Sequence, residues 1–72
     1  MFSISLRRAE HVRHYSVSEA AGLGWEVKIE DDRDVTRRVR YQDWHRVERA
    51  MLVIRQEVSA LAERGWSVQS AN

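Results

Sequence analysis

Seventy-two residues without cysteine or proline, carrying twelve basic against eleven acidic side chains, leave room for one small domain at most. The lack of cysteine excludes a disulfide-stapled miniprotein and a thiolate zinc site, and no run approaches the roughly 18–20 apolar residues of a membrane span. Apolar residues at 43% and charged residues at 32% place the chain among globular rather than disordered sequences.

The first segment, residues 2–6, sets Phe2, Ile4 and Leu6 against Ser3 and Ser5, the period of two expected of a strand. Its basic residues, Arg7 and Arg8, follow the apolar ones, the reverse of a signal peptide, so the expected location is cytoplasmic. Residues 11–18 read as a second strand with Tyr15 and Val17 on one face. Residues 23–31 are the clearest strand, Leu23, Trp25, Val27 and Ile29 alternating with Gly24, Glu26, Lys28 and Glu30. Residues 35–41 repeat the parity, with Val35, Val39 and Tyr41 inward and Arg37 the one misfit in that inward set.

Acidic residues Asp31, Asp32 and Asp34 mark the turn between the third and fourth strands, because Asp bonds its own backbone two residues on. For Val27 and Ile29 to face odd-numbered partners, the loop must hold an odd number of residues, about three or five. Glu26 then faces Arg38 or Arg40 across the outer side.

A helix is expected over about residues 44–64. Asp43 is its N-cap, and Trp44, Val47, Met51, Ile54, Val58 and Leu61 form a continuous apolar stripe. Gly65 takes the left-handed C′ position, and Trp66 falls back on Leu61 in a Schellman motif. One-sided sheet and one-sided helix can bury their apolar faces only against each other. The expected fold is therefore α+β and two-layered: a three- or four-stranded antiparallel β-meander with one long C-terminal helix on one face, spanning residues 1–66. Residues 67–72 are expected to fray, although Val68 could add an edge pairing.

Catalytic patterns are missing. His11 and His14 fall on opposite faces of a strand and cannot share a metal. His45 and Glu48 have a metal-site spacing but no second pair to complete a shell. Seven serines and one threonine come without a nucleophile elbow, and the three glycines form no phosphate loop. No enzyme activity, metal or cofactor is expected.

Charge is segregated along the chain. Residues 19–34 carry a net −4, and residues 35–49 a net +3 through Arg37, Arg38, Arg40, Arg46 and Arg49. Guanidinium forks suit phosphate, and Tyr41 could stack on a base, which makes nucleic acid the alternative partner. Glu26 and Glu30 share a sheet face with Arg38 and Arg40 and cancel part of that field.

The leading expectation is a protein interface. Val53 falls about 140° and Leu52 about 120° from the centre of the helix stripe, and Ala60 lies on the same outer side as Val53. A domain this small buries only about 60% of its unfolded surface, so a homodimer through the helix is expected, with an unidentified protein partner as the broader case and no membrane partner.

From Tyr15 to Trp66 the order is strand, Trp25-led strand, strand ending in Tyr41, long helix, then Gly65-Trp66. Over about two thirds of the chain this layout resembles the Trp-Gly-Arg domains of DNA-repair polymerases, a likeness of architecture alone. The defining tripeptide is absent, the turn region reading Glu30-Asp31-Asp32-Arg33-Asp34, so the resemblance implies no DNA-contacting role for any residue here.

Overall fold

The computed structural model of the protein describes residues 2–22 and 24–71. Its strands are β1 (Phe2–Arg8), β2 (His11–Glu19), β3 (Trp25–Asp31) and β4 (Asp34–Tyr41), followed by helix α1 (Trp44–Glu63) and β5 (Ser67–Ala71). All pairings are antiparallel, in the spatial order β4-β3-β2-β1-β5. The fold is the expected two-layer α+β arrangement, with five strands in place of three or four. Leu23, expected on the inward face of the third strand, lies outside the described residues, as do positions 1 and 72.

Period two decides which side of the sheet meets the helix. The registers Phe2↔Val17, Ile4↔Tyr15, Tyr15↔Ile29, Val17↔Val27 and Val27↔Val39 line one face with apolar side chains across four strands. Leu6, Tyr15, Val17 and Val27 from the sheet and Val47 and Ile54 from the helix are buried and form the core. The opposite face is polar. There Glu26 lies 3.6 Å from both Arg38 and Arg40, Lys28 pairs with Glu30 at 3.1 Å, and Ser5 meets His14 at 2.5 Å. The expected Glu26 partnership thus holds for both arginines at once.

The β3–β4 loop departs from its expected length. Only Asp32 and Arg33 separate the strands, both at positive φ (49° and 75°), the backbone of a type I′ turn. The odd residue required by parity is supplied inside β4: the register steps from Ile29↔Arg37 to Glu30↔Val35, leaving Thr36 in a bulge whose hydroxyl donates to the Ile29 carbonyl at 3.2 Å. The third strand also starts later than expected, at Trp25. Gly24 is held at φ +98°, a left-handed backbone rather than a strand residue, close under the end of β4.

Both ends of α1 follow the sequence signals. Asp43 has extended backbone and accepts from the His45 N–H at 3.0 Å. Arg64 is the C-cap, Gly65 sits at φ +94°, and the N–H groups of Gly65 and Trp66 donate to Ala62 and Leu61, the two bonds of a Schellman motif. Trp66 is half-buried beneath the helix end with the Arg13 guanidinium 5.7 Å from its ring centre. Trp44, expected within the apolar stripe, is 40% exposed and meets the Trp25 ring edge-on at 5.1 Å.

The tail, expected to fray apart from an edge pairing open to Val68, forms β5, in which Val68 does pair at the edge, with β1 through Leu6↔Val68 and Ile4↔Ala71 around a bulge. Without it, β1 would be a bare edge beside the buried Leu6, its outward N–H and C=O groups unpaired.

Candidate interaction cleft

A single helix cannot cover five strands. The outermost strands stand about 19 Å apart at roughly 4.8 Å per spacing, whereas a helix with its side chains is about 10–12 Å across. The shortfall falls on both outermost strands: no residue of β4 or of β5 is buried. Between α1 and the β4 flank lies a cleft of about 410 Å³. Val27, Ile29, Val39 and Tyr41 form its floor, and Arg46, Arg49 and Val53 stand along the helix side. Arg37, the misfit of the inward set, lines the cleft too, placed by its register opposite Ile29. An inward position here is also a solvated one, and for that reason a guanidinium fits it.

The structure divides the arginine cluster. Arg37, Arg46 and Arg49 gather around the cleft, and among the described residues none of them makes an ion pair. Arg38 and Arg40 project from the other side of the sheet and share the Glu26 carboxylate. At the far end of the cleft Glu57 accepts a hydrogen bond from the Tyr15 hydroxyl at 3.0 Å. Burial pushes the Tyr15 phenol above its ordinary value. A cationic rim over an apolar floor suits an acidic group attached to an apolar body.

The expected interface residues are also divided. Val53 forms part of the cleft wall, while Leu52 and Ala60 are exposed and do not line it. Leu52 is 58% and Val53 51% accessible, more than their neighbours Met51 and Ile54, which face the core.

The histidines act locally. His11 Nδ1 lies 2.9 Å from Asp32 Oδ2, tying the start of β2 to the β3–β4 turn, while the other Asp32 oxygen accepts from the Val12 N–H. Hydrogen bonding and charge from Asp32 raise the His11 pKa, and the His11 and Val12 bonds lower that of Asp32. His45 approaches Glu48 at 3.5 Å on the exposed helix surface. Among the described residues no three His, Asp or Glu side chains gather as a metal site. No described helix is long and apolar enough to cross a membrane.

Sequence reasoning did not find the cleft, the Tyr15–Glu57 bond or the Arg13–Trp66 stack. Arg37 at an apolar parity position was the one usable signal for the first of these. No family model, curated protein or solved structure matches the chain.

Proposed function

We propose that this chain is a small, non-enzymatic protein-interaction module of the cytoplasm that pairs with a second copy of itself through its helix. One observation supports the reading above the rest. Leu52 and Val53, adjacent in the chain, are both more than half exposed on a helix whose fully buried residues are only Val47 and Ile54. Ala60, seven residues past Val53 on the same side, is small enough to let another helix approach. Among the described residues the buried core is six side chains, and a domain of this size gains stability by covering more apolar surface.

Sedimentation equilibrium tests the pairing. The wild type should run at twice the 8.5 kDa chain mass, and Leu52→Glu combined with Val53→Glu should run as a folded monomer. A wild type that stays monomeric up to about 1 mM would refute it.

Nucleic-acid binding is the second reading, supported by three arginines that line one cleft with Tyr41 and make no ion pair among the described residues. Three phosphate contacts to a single strand would weaken binding about twentyfold between about 50 and about 200 mM salt. A salt-insensitive or absent interaction rejects it.

A further inference from the structure

Strand β4 is paired only on its β3 side. Along its outer side alternate residues direct their N–H and C=O groups to no strand, which is the template for adding one. Its register with β3 runs without interruption from Trp25↔Tyr41 to Ile29↔Arg37. Arg37–Tyr41 is therefore a regular edge, ended at one side by the Thr36 bulge.

Both faces bordering this edge are cationic. On the helix side Arg37 stands beside Val39 and Tyr41, with Arg46 and Arg49 across the cleft. On the other side Arg38 and Arg40 are 55% and 62% exposed and divide one carboxylate between them. Glu26 and Glu57, the carboxylates on either face here, are already engaged, Glu26 by that pair and Glu57 by the Tyr15 hydroxyl.

This charge selects the occupant. A second copy pairing antiparallel about the middle of β4 would set arginine against arginine, which is destabilising in directly opposed positions. The geometry points to an extended acidic segment of a protein partner, added to β4 as a sixth strand, with carboxylates on Arg37, Arg38 and Arg40 and apolar side chains over Val39 and Tyr41. Main-chain bonds supply the affinity in such an addition, and the side chains supply the choice of partner. Antiparallel to Tyr41, Arg40, Val39, Arg38 and Arg37, the matching order is apolar, acidic, apolar, acidic, acidic. The same arginines that keep copies of β4 apart admit this strand. Leu52 does not line this surface, whereas Val53 does, so Leu52→Glu alone disturbs helix pairing without altering the β4 edge.

The test is an anisotropy titration with a labelled peptide whose core is Val-Glu-Val-Glu-Glu, against the wild type and Leu52→Glu. Both proteins should bind it equally, which separates this contact from helix pairing. Binding should fall about tenfold when the glutamates become lysines. It should fall at least as far when alternate peptide nitrogens on the pairing edge are methylated, which removes main-chain donors. Arg37 is exposed and makes no ion pair among the described residues, so Arg37→Glu should fold and bind about tenfold more weakly. It should recover when the last glutamate of the peptide core becomes lysine. Absence of binding at about 1 mM peptide overturns the assignment. So does binding indifferent to methylation, or displacement of the peptide by a single-stranded oligonucleotide at equal concentration.

Discussion

Gly24 and Gly65 have nearly the same backbone but different surroundings, and replacing each by alanine separates strain from collision. Gly24 lies at φ +98° and Gly65 at φ +94°. An added Cβ in the left-handed region costs about 1 kcal/mol at either site, once the stiffer unfolded chain has offset part of the strain. At Gly65 nothing more is added, since the nearest atom to that Cβ is the Arg8 Nε at 3.9 Å. At Gly24 the Cβ would stand 2.2 Å from the Tyr41 carbonyl oxygen and 3.0 Å from the Gln42 Cα. Both are backbone atoms at the end of β4, opposite the Trp25↔Tyr41 pair, so relief requires the strand to move. Such overpacking adds about 2–3 kcal/mol. A domain of this length has roughly 4–11 kcal/mol of stability in total, and each kcal/mol corresponds to about 4–8 °C. Gly65→Ala should therefore melt about 4–8 °C below the wild type, and Gly24→Ala about 12–30 °C below it or not fold. Thermal circular dichroism at one fixed protein concentration measures both, which keeps any dimerisation constant. Equal melting temperatures for the two variants would refute the close approach of Gly24 to β4.

Two further outcomes follow from the titrating groups. The Tyr15 phenol is held above its ordinary value of 10.0 in the folded chain, so the unfolded chain loses this proton first and stability falls as pH rises beyond about 10. Tyr15→Phe should cost about 1 kcal/mol at pH near 7 and show a smaller alkaline loss in urea unfolding; parallel pH profiles for the two proteins would contradict the buried placement. The His11 pKa is raised by Asp32, so its contribution is present in full below 6.5 and disappears as pH rises through the folded value. Asp32→Asn should return the His11 NMR titration toward its ordinary midpoint, and a midpoint that does not move would show that the pair is absent in solution.

What could be read from the sequence was mostly local. Asp43 as N-cap and Gly65-Trp66 as the helix end depend on a few consecutive residues, and their bonds are all present. Parity also placed Glu26 with Arg38 and Arg40, because side chains on a sheet alternate whatever the strand order. Loop length was less accessible: two residues plus a bulge give Val27 and Ile29 the same partners as a three-residue loop, but turn Val35, expected inward, to the outer face opposite Glu30, and nothing at Thr36 announces the bulge. Of β5 only the edge pairing at Val68 was legible, because Ser-Val-Gln-Ser-Ala has little pattern of its own; the unpaired side of β1, far away in the chain, recruits it. The cleft was hidden for a similar reason. It arises from the width of the sheet relative to the helix, and the wheel angle of Val53 could not show that this side of α1 overlooks the outer strand β4.

The position of β5 also bears on how the chain acquires its structure. Strands β1 to β4 join neighbours in sequence through short connections, so each closes a small loop at little entropic cost. β5 is different: it comes after the whole helix and returns to the strand made first, Ala71 reaching Ile4. That contact spans most of the chain and tends to form late. Until then β1 remains an open edge beside Leu6, and for that interval the nascent domain is vulnerable to joining another chain at the very strand that β5 later protects.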